Sequence, residues 1–188
     1  VRSLADSNLD TFICYQNILR TYSQSTHLET IEELYEYAFD LLSKKFRQEY
    51  VYKNFIFNKK ILGTHSLNTA SMLTELKVES SKADCVIFNG ISTCYEIKTE
   101  WDSLERLPSQ LENYRGYFDK IFVVTSEKQC KRYLPKISKD IGIIALTEKN
   151  QFRVVREAKM NHEGYSPQMA ANLLRVNELK EIVDDLGW

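Results

Sequence analysis

The sequence predicts an α/β layer fold, a mixed central β-sheet with helices on both faces. Three observations carry that expectation. Short apolar, β-branched runs alternate with stretches of helical period along the chain. Two of these runs, ADCVIFN and ISTCYEIKT, are joined through Asn89-Gly90, the strongest short-range hairpin signal. A strongly patterned helix precedes them and gives a sheet an apolar face to pack against.

In chain order, residues 8–22 place Leu9, Phe12, Ile13, Gln16 and Leu19 at helical spacing. Thr26 and Glu29 form a capping-box pattern ahead of a stripe made by Ile31, Leu34, Tyr35, Ala38, Leu42 and Phe46. The segment 50–57 (YVYKNFIF) is aromatic and β-branched and predicts a strand. Residues 63–72 (GTHSLNTASM) are small and polar and predict a loop or an irregular insertion. After the hairpin a helix is expected over 103–118, opened by Asp102 and Glu105 and kinked or delayed by Pro108. KIFVVTS (120–126) reads as a buried strand and 127–137 as a basic helix that stops near Pro135. GIIALT (142–147) and FRVVREA (152–158) supply two more strands. The stretch from Ser166 to Leu186 reads as helix, with Leu173, Leu174, Val176, Leu179, Ile182 and Val183 as its apolar positions. No repeat and no Gly/Ser/Pro linker divides the chain. A single domain over 1–188 is therefore expected, with N-terminal helices in 1–48, an α/β core in 50–158 and a C-terminal helix in 166–188.

The chain has 188 residues, 43 % apolar and 27 % charged, with 6 Gly and 3 Pro. That composition excludes disordered, collagen-like and low-complexity classes. Lys+Arg number 25 against 26 Asp+Glu. A globally basic nucleic-acid coat is thereby excluded, a local basic cleft is not, and weak non-specific DNA binding without metal is expected. Cys14, Cys85, Cys94 and Cys130 lack CxxC spacing and predict reduced thiols in a cytoplasmic protein. No apolar run approaches the ~18 residues of a membrane span, so no membrane partner is expected. His27, His65 and His162 stand apart, without HxxxH or HxxE partners.

The hairpin carries the chemistry. Asp84, Glu96 and Lys98 interrupt otherwise apolar strands, and burying an unpaired carboxylate costs several kcal/mol. Asp84 and Glu96 are hard oxygen ligands suited to Mg²⁺ or Mn²⁺, and the Ile97 carbonyl offers a third oxygen. Lys98 shares the face of Glu96 because strand side chains alternate, and there it can hold a water or offset phosphate charge. A two-residue turn would pair residue 84 with 95 and send the two acids to opposite faces. A shared metal site therefore requires an odd-numbered loop, Asn89 to Ile91 or Phe88 to Ser92.

Asp84 followed across a hairpin by Glu96-x-Lys98 resembles the core of the PD-(D/E)XK nuclease superfamily. Gln110-Leu-Glu-Asn-Tyr114 is similar to the QxxxY helix motif of its RecB-like members. The stretch YEIKTEWDSLERLPSQLENYRGYFDKIFVVTS further resembles a group of small bacterial proteins of that superfamily with an EIKS-D-x-D-x-L-x-R-L-x-x-Q block. The likeness covers about residues 74–180 and is most specific between 82 and 126. It implies a restriction-endonuclease-like sheet flanked by helices. It also implies a metal held by Asp84 and Glu96, with Lys98 assisting attack on phosphate and Gln110 and Tyr114 supporting the site. Ala83 and Lys82 precede Asp84 where related proteins often have Arg, and the Pro before Asp is absent. The further acid that completes such sites stays open between Glu75 and Glu32.

The implied activity is that of a Mg²⁺- or Mn²⁺-dependent phosphodiesterase on nucleic acid, DNA in preference to RNA. Lys82, Trp101, Lys128, Lys131 and Arg132 are the candidate nucleic-acid contacts. Two rivals remain. One is a nuclease toxin domain acting on RNA or DNA and cut from a longer secreted protein, which Val1 in place of Met allows. The other is a catalytically inactive relative that keeps the fold, pairs Glu96 with Lys98 or Lys82, and binds nucleic acid or protein. Beyond nucleic acid, the partners to consider are a second copy of the chain and an inhibitory protein.

Overall fold

At Asn89-Gly90 the chain reverses through a three-residue loop, Asn89 to Ile91. The Asn89 N–H donates to the Ile91 carbonyl (3.1 Å) and Gly90 adopts a φ of 90°, a conformation that favours glycine. The computed structural model describes residues 13, 17, 30–63, 69–161 and 167–185. It forms two compact units, 1–46 and 47–188.

In the first unit, helix α1 (Ile31–Lys45) is opened by Thr30. The Thr30 Oγ1 accepts from the Glu33 N–H (3.2 Å), and Glu33 Oε2 accepts from the Thr30 N–H (2.9 Å). This capping box satisfies two helix-end donors reciprocally. The box expected from Thr26 and Glu29 lies outside the described residues, as do residues 8–22 apart from helical Ile13 and Asn17.

The second unit opens with α2 (Glu49–Ile56), continued by a π-helical turn over Phe57–Leu62. This corrects the strand expected over 50–57. Val51, Tyr52 and Ile56 lie on one helical face and are buried, while Lys53 pairs with Glu49 one turn back (2.5 Å). Burial against the sheet outweighs the β-propensity of the aromatic and branched residues. Six strands follow: β1 (Ser71–Val78), β2 (Ser81–Phe88), β3 (Ser92–Lys98), β4 (Lys120–Ser126), β5 (Gly142–Leu146) and β6 (Phe152–Arg156). They form one mixed sheet in chain order. β2 runs antiparallel to its neighbours β1 and β3, β3, β4 and β5 run parallel, and β6 returns antiparallel to β5. Ser71–Val78 is an edge strand that the sequence does not mark, since its start falls in the expected 63–72 loop and most of its side chains are exposed.

Helix α3 (Leu107–Arg115) joins β3 to β4, and α4 (Glu127–Tyr133) joins β4 to β5. α3 begins later than the expected 103, with Pro108 in its first turn, where a missing N–H is harmless. Asp102 opens no helix. Its Oδ2 accepts instead from the N–H and the hydroxyl of Thr99, both at 2.7 Å. The expected C-terminal helix is two, α5 (Pro167–Ala171) and α6 (Val176–Asp185), with Leu173 and Leu174 in the turn between them. Leu173 packs against the core, whereas the apolar side chains of α6 stay between 36 % and 69 % exposed.

Helices cover both faces of the sheet. Tyr52 and Ile56 of α2 pack over Ile87, Ile97, Val124 and Ile144, while Leu111 and Tyr114 of α3 and Tyr133 of α4 pack over Val86, Val123 and Ile143. Buried on both faces, the parallel strands read as continuous apolar runs. Asp119 anchors the start of β3: its carboxylate accepts from the Ser92 N–H and hydroxyl (2.7 and 2.8 Å). Cys85, Cys94 and Cys130 are buried and unpaired.

At Gly142 the start of β5 lies against the Phe122 ring of β4 and the backbone of Ala158. A Cβ there would run into the Phe122 ring and come within 2.8 Å of the Ala158 nitrogen. Gly142→Ala is expected to destabilise the protein by about 1–3 kcal/mol. A thermal melt would show the loss; an unchanged melting temperature would refute it.

Candidate active site

The site forms where the sheet opens. The β1–β2 ladder skips the Glu75/Asp84 pair, and the β2–β3 ladder ends at Cys85 opposite Tyr95. Side chains change faces at the same level. Met72 packs on the α2 side but Leu76 on the α3 side, and Cys85 and Ala83 divide likewise, although strict alternation would keep each pair together. Glu75, with a φ of 60°, is the residue at which β1 turns over. Asp84 is thus left without a ladder partner, and its Oδ2 accepts the Ile97 N–H at 2.7 Å. Ile97 meets Asp84 through its N–H; the expected contribution was its carbonyl.

The three-residue loop sets a register in which residue 84 would face residue 96, but the pairing stops one step short, at Cys85 and Tyr95, and the Asp84 carboxylate gathers with those of Glu49 and Glu75. Glu96 turns toward α3. Its Oε1 accepts from Lys98 Nζ (2.7 Å), and its Oε2 accepts from the Tyr114 hydroxyl (2.8 Å), which the Lys82 carbonyl also approaches (2.9 Å). Lys98 Nζ also donates to Gln110 Oε1 at 2.9 Å. Gln110 and Tyr114 sit one turn apart, so one helix face reaches both ends of the Glu96–Lys98 pair. Glu96, Lys98 and Tyr114 are buried.

Three carboxylates, from Glu49, Glu75 and Asp84, converge with oxygens within 4.8 Å of one another. Glu49 begins α2 and was hidden from the sequence by the strand reading of 50–57. An acid at the head of an amphipathic helix is the signal that a helical reading would have supplied. Of the two open candidates, Glu75 is in this cluster. Glu32 is exposed on α1, in the other compact unit. Lys53 and Lys82 both engage Glu75, the latter at 2.5 Å, and Lys53 also engages Glu49.

Electrostatics separate the acids. Burial first and the Glu96 charge second push the Asp84 carboxyl up to about 7, against the Ile97 N–H and Lys98. Burial likewise raises Glu96, against Lys98 and Tyr114. Glu75 moves the other way and is held at about 2 by Lys53 and then Lys82. The remaining candidates are surface groups: Lys82, Lys128, Lys131, Arg132 and Trp101 are all exposed, and Lys128 faces Glu148 at 3.1 Å. His27, His65 and His162 lie outside the described residues. Among the described residues, no helix is long and apolar enough to cross a membrane.

The profile of the family described as Bacteriophage P4 protein cII matches residues 43–187. The chain belongs to that family. Its matched span holds Glu49, Asp84, Glu96, Lys98, Gln110 and Tyr114. Protein cII of Enterobacteria phage P4 is 27 % identical over 126 residues, 64 % of this chain and 47 % of the phage protein. The chain thus spans about half the length of that curated relative. Among solved structures, a protein of unknown function from Silicibacter pomeroyi covers 63 % of this cII-family chain and 77 % of its own, at 13 % identity and a TM-score of 0.43.

Two outcomes follow from this geometry. The raised Asp84 pKa means that the folded state holds the proton more tightly than the unfolded chain, near 3.8. Stability from this group is full below pH ~4 and is lost as pH rises toward 7. In EDTA, Asp84→Asn should therefore stabilise the protein by roughly 2–4 kcal/mol at pH 8 and far less at pH 5. Melts at the two pH values check the sign, and a variant less stable at pH 8 contradicts it. Tyr114→Phe strips a donor from buried Glu96 and should cost about 1–3 kcal/mol in a denaturant titration.

Proposed function

We propose that this cII-family chain is a metal-dependent nuclease of the restriction-endonuclease-like kind, hydrolysing nucleic-acid phosphodiesters, DNA in preference to RNA. One observation carries the reading. Asp84 stands where both ladders open, one residue past the Cys85–Tyr95 pair, with its carboxylate on the Ile97 N–H between Glu96 and Lys98, and Lys98 donates to Glu96. The mixed sheet with helices on both faces is the architecture that the PD-(D/E)XK resemblance implies, which supports the reading further.

A divalent cation suits these residues. The donors are hard carboxylate oxygens, and Asp84 is a half-buried acid whose negative charge is disfavoured by desolvation and by the nearby Glu96. Asp84, with Glu49 and Glu75 whose carboxylates converge on it, would hold Mg²⁺ or Mn²⁺. Glu96, engaged by Lys98 and Tyr114, is the further candidate from the α3 side. When bound, the ion supplies neutralising charge at the phosphate oxygens. Lys98 orients the attacking water by donating an N–H to it. Its ammonium is pre-set by Glu96 and Gln110, so little reorganisation is needed. Tyr114 keeps Glu96 in place from its other oxygen. The water oxygen attacks phosphorus and the ester P–O bond breaks, while the proton lost by the water passes to solvent and the departing oxygen takes one from solvent. Lys82, Lys128, Lys131 and Arg132 offer exposed positive charge to the phosphate backbone.

A second reading, a non-catalytic relative that binds nucleic acid or protein, is favoured by a different observation. Glu96, Glu75 and Glu49 each already face a lysine. Binding of Mn²⁺ separates the two readings, because the catalytic site needs it and the inactive one does not.

The decisive experiment incubates the protein with plasmid, single-stranded DNA and tRNA in Mg²⁺ or Mn²⁺, beside Lys98→Ala. Cleavage should require the metal and fall by about 10²–10⁴ in the variant, with a melt verifying that the variant folds. Absence of cleavage on every substrate, or cleavage indifferent to Lys98→Ala, would overturn the reading.

A further inference from the structure

Trp101 is 82 % exposed, more than any other large apolar side chain among the described residues. An indole left in water usually sits on a loose loop, but this one does not. The turn that carries it is tied at both ends. Asp102 Oδ2 accepts from the Thr99 N–H and hydroxyl (both 2.7 Å), and Thr99 Oγ1 in turn accepts from the Trp101 N–H (3.3 Å). The Asp102 N–H donates to the Thr99 carbonyl (3.4 Å), and Thr99 itself is buried. The backbone of the turn is therefore ordered before any ligand arrives, and ordering is a large part of what binding usually costs.

Its place in the fold is specific. β3 ends at Lys98, so Trp101 stands three residues beyond the proposed water-orienting group, on the same strand exit. β4 runs parallel to β3 with Thr125 beside Lys98, so α4, with exposed Lys131 and Arg132, leaves the sheet at this same end. Exposed Glu100 and Asp102 flank the indole and keep phosphates off it, so the ring is suited to a base and not to the backbone. An exposed aromatic face at the sheet end from which a cation-bearing helix departs supplies the two components by which proteins hold single strands without reading their sequence.

Resting on the nuclease reading, we infer that Trp101 is a stacking platform for an unpaired nucleobase, and that the substrate class is single-stranded or end-frayed nucleic acid. In an intact duplex the bases are stacked on one another and offer the indole no face. Binding through Trp101 tolerates any base, because each presents a π-surface.

The test uses the full chain with Trp188→Phe, so that Trp101 is the sole fluorophore of its kind. In EDTA, a twelve-residue oligothymidylate should quench its fluorescence, and a blunt duplex of equal length should quench it far less. Trp101→Ala should weaken oligonucleotide binding, read by anisotropy of a labelled strand, roughly tenfold to a hundredfold, and Trp101→Phe should retain most of it. Quenching that occurs without metal-dependent cleavage supports the platform and removes the nuclease reading. Cleavage whose KM for single strands is unchanged by Trp101→Ala removes the platform and leaves the nuclease reading. No quenching by oligothymidylate, or equal quenching by the duplex, also overturns the platform.

Discussion

The opening of the sheet at Glu75 and Asp84 is the constraint on which the rest of the site depends. A continuous ladder would engage the backbone on both sides of Asp84 and keep its neighbours in strict alternation. Here β1 turns over at Glu75 in a left-handed conformation, the β1–β2 pairing skips Glu75 and Asp84, the β2–β3 pairing stops at Cys85 and Tyr95, and the Ile97 N–H meets the Asp84 carboxylate. One backbone irregularity thus exposes an acid between two strands while leaving it largely desolvated. Bulges and similar breaks commonly re-aim side chains in this way.

The two halves of the site have opposite electrostatic characters. On the α3 side, Glu96, Lys98, Gln110 and Tyr114 form a buried network in which every charged group has a partner. Such a network holds its members in place because a lost partner strands a buried charge. On the α2 side, Glu49 and Glu75 are half-exposed and share Lys53, so their pairings exchange readily with solvent or an ion. Asp84 belongs to both halves: it clusters with the exposed acids and feels the charge of Glu96. The site thus joins a rigid, fully partnered side to an adaptable, solvent-facing one.

Much of this was legible in the residues. The odd-numbered loop at Asn89-Gly90, the strands at 120–126 and 142–146 and the i,i+4 pair on α3 all follow from local spacing. These are short-range features, in which turn chemistry and side-chain alternation leave few alternatives. Glu49 was not legible, because YVYKNFIF has strand-like composition and becomes a helix only through burial of Val51, Tyr52 and Ile56. β1 was hidden for the complementary reason: an edge strand with one irregular residue lacks the alternation by which strands are recognised. The single C-terminal helix became two, since apolar spacing across Leu173 and Leu174 does not mark the break between them.

By itself the sequence determined the α/β class, the hairpin and the set of chemically distinctive residues on it, because these depend on neighbours a few positions apart. Which acids meet was decided only by the tertiary structure. Glu49, Glu75 and Asp84 come from a helix and two strands, and their convergence depends on how α2 seats on the sheet and where β1 turns over. The same holds for the pKa values, since Asp84 and Glu75 differ little as free carboxylic acids and diverge through burial and through the lysines that fold against them.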